Sequence, residues 1–164
     1  METYMASREA LDKAYMTCAF AIAELSRARR KKVGAIIVAP LGGIIAEGCN
    51  GTPAGFDNNC EDEIGSDQPA TVKLVTKPEC VHAESNAITK VARSNNSSVG
   101  ATLYCTLTPC FECAKLIIQS GIVRVVYAEQ YPYATHTGPS RALGLELLAK
   151  ARIPVDKLDG FTEH

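Results

Sequence analysis

Apolar residues recur at helical spacing through "SREALDKAYMTCAFAIAELSRA", where Leu11, Tyr15, Cys18, Ile22 and Leu25 make one stripe behind a Ser7 cap. The period then changes. "VGAIIVAP" is a β-branched strand ending at a Pro-Leu-Gly-Gly turn, and "IIAEGCN" returns from it as the second arm of an antiparallel hairpin. Between Gly51 and Glu79 the pattern dissolves into polar residues punctuated by Gly and Pro. That stretch is too long for an idle connection and reads as a functional loop. Periodicity returns as a helix from about His82 to Arg93, the strand "ATLYCTL", and a helix opened by "TPCFECAKLI" and stopped by Gly121. The strand "IVRVVYAE", the loop "YPYATHTGPS", the striped helix "RALGLELLAK" and a short edge strand in "RIPVDKL" complete the order. Strands and helices alternate from the second strand onward. This predicts one α/β domain over residues 1–164, with three α/β/α layers and a mixed central sheet of about five strands, the later ones parallel.

The 164 residues are 46% hydrophobic and 21% charged, an ordinary composition for a soluble domain with a sizeable core. A formal net charge of −1 supplies no long-range attraction for phosphate polymers, so nucleic acid is not an expected partner. No apolar run approaches the roughly 18 residues of a membrane span, and no basic-then-apolar leader follows Met1. A cytoplasmic protein is expected, in the host cytoplasm if its source is viral. Seven cysteines, an odd number without a leader, argue against a disulfide framework and for thiols that pack or bind metal.

Two helix starts hold the chemistry. Cys110 and Cys113 are three apart, so they share a face in a first turn where the macrodipole favours thiolate, and Pro109 fits just before them. His82 is a third candidate ligand. Two thiolates and one imidazole leave the fourth tetrahedral position open, as a catalytic zinc requires. Glu84 lies two residues past His82 and cannot share an ideal helical face with it. Both converge only if His82 stands at the start of the helix with its backbone not yet regular. There Glu84 would act as proton carrier and not as a ligand. "HAE" followed by "PCFEC" is the H-x-E, P-C-x-x-C signature of zinc nucleobase deaminases. A thioredoxin-like dithiol would explain Cys-x-x-Cys alone. A structural zinc would want a fourth protein ligand, for which Cys60, Cys80 and Cys105 are the neighbours.

With these motifs the chain resembles the deoxycytidylate deaminases of the zinc-dependent cytidine-deaminase-like superfamily. The resemblance runs from about Ser26 to Ile153 and includes "VGAIIV", "GCNGTPAGFDNNCE", "CVHAESNAI", "LYCTLTPCFECAKLIIQSGI" and "VVY". It implies a cytidine-deaminase-like fold and hydrolytic deamination of dCMP to dUMP and ammonia, feeding thymidylate synthesis. Water activated at the zinc would attack C4 of cytosine, and Glu84 would protonate N3 and then the departing ammonia. Backbone N–H groups at the start of the Cys110 helix are expected to support the developing charge. Ser26 and Arg30 match the family pattern S-x-C-x-R-x-x-V-G-A, with Ala28 in place of its Cys, and are the expected readers of the 5′-phosphate. For the rest of "SRARRKK" the plain alternative is a basic helix end that complements its own dipole. By the same resemblance Asn50 contacts the sugar. Tyr131, just past a strand end expected to hold the site, should line the pocket.

The resemblance also implies that Asn50, Gly51 and Gly55 bind dCTP as activator and dTTP as inhibitor. These effectors would sit at a subunit contact of a homo-oligomer, typically a hexamer, with Mg2+ accompanying the triphosphate. Where the family carries an aromatic residue before its Asn-Gly, this chain has Cys49, a departure that bears on regulation. Cys18 and Cys49 resemble part of a structural zinc site found in some members, but no further ligands are evident, and His136 reads as a solvated loop residue. A deaminase of tRNA or single-stranded nucleic acid would use the same zinc chemistry but wants a basic surface. The balance of 17 basic and 18 acidic residues disfavours it.

Overall fold

The computed structural model of the chain describes residues 6–65, 72–130 and 141–161. Helix α1 (Arg8–Ala23) starts as expected, with the Ser7 hydroxyl accepting from Ala10 N at 3.2 Å. Its buried face, however, is rotated from the stripe read in the sequence. Asp12, Met16, Ala19 and Ala23 are buried, whereas Leu11 and Leu25 are 44% and 66% exposed. The cause lies on β1 (Gly34–Val38). A Cβ on Gly34 would sit 2.0 Å from Ala19 O, so helix and strand lie too close for leucine, and alanine makes the contact.

β1 pairs antiparallel with β2 (Ile44–Cys49), as the hairpin reading expected. The supposed loop beyond it has structure of its own: β3 (Glu61–Ile64) and β4 (Lys73–Thr76) form a separate antiparallel pair. Apart from Glu61, every residue of these two strands is half or fully exposed. Neither therefore carries the apolar alternation by which a strand is read. α2 (Ala83–Ala92), β5 (Thr102–Leu107), α3 (Phe111–Gln119), β6 (Arg124–Glu129), α4 (Arg141–Lys150) and β7 (Val155–Lys157) follow in the expected order. The central sheet runs β2-β1-β5-β6-β7. β1–β5 is antiparallel, and β5–β6 and β6–β7 are parallel. The expected mixed five-stranded sheet is therefore present.

Alternate side chains of the sheet feed two cores. Ile36, Val38, Tyr104 and Val126 pack with Met16 and Ala19 of α1. Ala35, Ile37, Leu103, Cys105 and Val125 pack with Ala83 and Ala87 of α2, Ala114 and Ile117 of α3, and Leu148 of α4. Each fully buried aliphatic side chain here is worth about 1.5–3 kcal/mol. At the start of β6, Arg124 grips buried Asp12 with two bonds of 2.8 and 2.7 Å, and the Tyr104 hydroxyl donates to the same carboxylate at 2.6 Å. Burial alone would raise the Asp12 carboxyl, but these donors outweigh it and hold it below the usual range. The network pins α1 to the sheet at the end away from the candidate chemistry. At the other end Thr108 N donates to Glu129 O at 2.9 Å, which draws the β5–α3 turn against the end of β6. Among the described residues, no helix is long and apolar enough to cross a membrane.

Candidate active site at two helix starts

His82 is the N-cap of α2, in extended backbone with φ −72° and ψ 153°, and its side chain makes no capping bond. The ring is thereby released to turn away from its own helix. Its Nδ1 lies 3.3 Å from Cys110 Sγ and 3.4 Å from Cys113 Sγ. The irregular start that His82 and Glu84 need in order to converge is therefore present. Just upstream, Val81 N donates to Gly51 O at 2.8 Å and Gly51 N to Val81 O at 3.1 Å, an isolated bridge that fixes the approach to His82. Asn86 donates to Cys49 O at 3.0 Å and ties the first turns of α2 to the end of β2.

Cys110 is likewise an N-cap, that of α3, with φ −77° and ψ 174°. Its sulfur accepts from Cys113 N at 3.5 Å, and its carbonyl accepts the first helical bond, from Ala114 N at 2.9 Å. Ser85 Oγ lies 3.5 Å from Cys113 Sγ. The hydrogen bond from Cys113, and then the His82 ring, bring the Cys110 thiol down to about 3 against the opposing cost of burial. The Cys113 thiol is driven up instead, by its bond to Cys110 and by burial. One thiolate thus exists before any metal arrives. Because Cys113 N is used on sulfur, that amide is not available to a developing charge on substrate.

His82, Cys110 and Cys113 are the one group of three or more potential metal ligands among the described residues, with ligand atoms all within 4.8 Å of one another. Two sulfurs and one nitrogen fit zinc with its fourth position open. Cys105 points elsewhere, to Val126 O at 3.7 Å, and Cys80 is hydrogen-bonded to Cys60, so neither completes a four-ligand structural site. Glu84, in the first turn of α2, is 2% exposed, so this carboxylate is kept from bulk water beside the three ligands.

The structure also locates the other residues singled out in the sequence. Ser26 is buried; its hydroxyl donates to Asn50 O at 2.8 Å and accepts from Ala28 N at 3.2 Å. Asn50 accepts from Val33 N at 2.8 Å and donates to Lys31 O at 2.9 Å, so its side chain braces the basic segment. Arg30 is exposed and donates to the neutral Thr76 hydroxyl at 2.9 Å. Three of its basic neighbours instead face carboxylates: Arg29 with Glu63, Lys31 with Glu129, and Lys32 with Glu24. Gly55 has φ +93°, a conformation that favours glycine, while Gly51 is held in the bridge to Val81. Tyr131 and His136 lie outside the described residues.

One participant was not legible in the sequence. Glu61, 1% exposed, accepts from Arg29 N at 3.1 and 3.2 Å and from Arg30 N at 3.2 Å. An acid after "NNC" gives no sign that it will seat a segment thirty residues upstream.

Comparison with known proteins bears on this arrangement. The profile of the cytidine and deoxycytidylate deaminase zinc-binding region matches residues 9–129. The deoxycytidylate deaminase of Enterobacteria phage T4 is 36% identical, over 69% of this chain and 75% of its own length. That of Mus musculus is 39% identical, over 79% and 71%. The crystal structure of the dCMP deaminase from cyanophage S-TIM5 in complex with dCMP and dUMP superposes with a TM-score of 0.76. It has 38% identity, covering 93% of this chain and 99% of that one.

Proposed function

The chain belongs to the cytidine and deoxycytidylate deaminase family, and from that membership we propose that it hydrolyses dCMP to dUMP and ammonia at the His82–Cys110–Cys113 site. The observation that carries the reading is the convergence of those three ligand atoms beside buried Glu84. When bound by the three side chains, zinc supplies the Lewis acidity that makes water a nucleophile at neutral pH. Glu84 holds the proton taken from that water. It passes it to N3 as oxygen adds to C4, then carries the proton of the new C4 hydroxyl to N4 as the C4–N4 bond breaks, leaving the C4 carbonyl of dUMP and ammonia. Its burial keeps bulk water from taking either proton.

Substrate choice rests on the segment leading into β1. Ser26 and Asn50 shape it, Glu61 seats its backbone, and Arg30 offers a cation whose partner is a neutral hydroxyl. Arg30 therefore reads the 5′-phosphate, by a charge-assisted bond. Asn50 and Tyr131 complete the nucleoside contacts. The regulatory reading is that dCTP, with Mg2+, and dTTP bind at Asn50, Gly51 and Gly55 in a cytoplasmic homo-oligomer, a hexamer in the expected case. Support for it comes from the Gly51–Val81 bridge, which joins that loop directly to His82 and gives an effector a short path to the chemistry.

One set of assays tests both parts. Arg30→Ala should raise KM for dCMP about tenfold or more while changing KM for deoxycytidine little. Equal changes on both substrates remove Arg30 from phosphate recognition. In the wild type, turnover should fall with dTTP and rise with dCTP, and a flat response to both sinks the regulatory reading.

A further inference from the structure

Gly144 is the fourth residue of α4 and buried within it. Glycine is the poorest helix former after proline, so a glycine kept inside a ten-residue helix calls for a packing reason. The reason is visible on the neighbouring turn. A Cβ on Gly144 would lie 2.5 Å from Pro109 O, 2.9 Å from Cys110 C and 3.0 Å from Cys110 O. All three are backbone atoms, so no side chain can swing aside to make room. Nor can the turn readily yield. Cys110 O already accepts the first helical bond of α3 from Ala114 N at 2.9 Å, and Thr108 N is tied to Glu129 O at 2.9 Å. The peptide that carries the Cys110 ligand is therefore held between β6 on one side and the bare backbone of α4 on the other.

α4 is itself anchored, because Leu148 is fully buried in the core and Leu145 and Leu147 pack against it. We infer that Gly144 is a positioning residue for the metal centre: its missing side chain lets α4 press on the Pro109–Cys110 peptide and fix where the Cys110 sulfur stands. This rests on the reading of His82, Cys110 and Cys113 as a zinc site. A Zn–S bond tolerates displacements of only about 0.2 Å, far less than the relief a new Cβ at 2.5 Å demands.

The consequence separates metal binding from folding. Gly144→Ala improves the helix while displacing a ligand. Supporting groups of this kind change metal affinity by about 10–100-fold. Zinc affinity, read by competition with a chromophoric chelator, should weaken about tenfold or more, and the d–d spectrum of the Co2+-substituted protein should change. The metal-free protein should still fold, with its unfolding temperature lowered modestly at most, because the helix propensity gained by alanine offsets part of the cost of the clash. Ala149→Gly, at an exposed position of the same helix, is the control: it should lower stability and leave zinc affinity as it was.

Unchanged zinc affinity and Co2+ spectrum in a folded Gly144→Ala protein would overturn the inference. A wild type that binds neither ion would instead overturn the zinc-site reading beneath it. Should Gly144→Ala fail to fold, the wild type decides, because coupling is reciprocal. Zinc must then slow amide exchange in α4 as well as in α3, and exchange in α4 that ignores zinc would refute the role.

Discussion

Two pairs of cysteines touch in this chain, and they sit in unlike surroundings. Cys110 and Cys113 share a helix start with His82, and the Cys110 thiol is brought down to about 3. Cys60 and Cys80 are also joined by a hydrogen bond, yet the Cys80 thiol is pushed up to about 12, by burial first and then by Cys60 and the charge of Glu61. Proximity of two sulfurs therefore does not make a metal site. What differs is the surroundings. One pair has an imidazole within 3.4 Å and stands at a helix N-terminus; the other has the acid Glu61 nearby.

Breaking each pair should have unequal effects. Cys110→Ser should abolish stoichiometric zinc binding and reduce deamination to background, whereas Cys80→Ser should keep one zinc per chain, read by metal analysis and turnover. Zinc loss in both variants would erase the distinction. Next in size is Glu84→Gln, which leaves the ligands intact and removes the proton carrier. Turnover should drop about 10²–10⁴-fold with zinc retained, roughly 3–5 kcal/mol of barrier. A smaller effect sharpens the comparison in the metal-free protein. The Cys110 thiol, lowered, is already thiolate from about pH 5 to 8, so its alkylation should be nearly independent of pH there. The Cys80 thiol, raised, stays protonated in that window, so its slow alkylation should climb about tenfold per pH unit. Parallel pH profiles would mean that the two environments do not differ as described.

The clustering of His82, Cys110 and Cys113 was legible because its signals are local. A proline, two cysteines three apart, and a histidine two residues before a glutamate state their geometry within one helical turn each. The basic segment was legible in composition but not in its supports, since Glu61 seats Arg29 and Arg30 from across the fold. The same holds for Asp12, whose partners Tyr104 and Arg124 are distant in sequence. Helix α1 was misread in rotation because its contact face is set by what Gly34 lacks, an absence on another element. The β3–β4 pair escaped notice because each strand is only four residues long and neither alternates apolar with polar residues, leaving nothing for periodicity to register.

The most direct measurement is dCMP turnover by one preparation as purified, after chelation, and after zinc is returned. One zinc per chain, loss of dUMP formation on chelation and recovery on adding zinc are the predicted results. Turnover that survives complete removal of the metal, or a zinc-loaded protein that leaves dCMP untouched, would contradict the account.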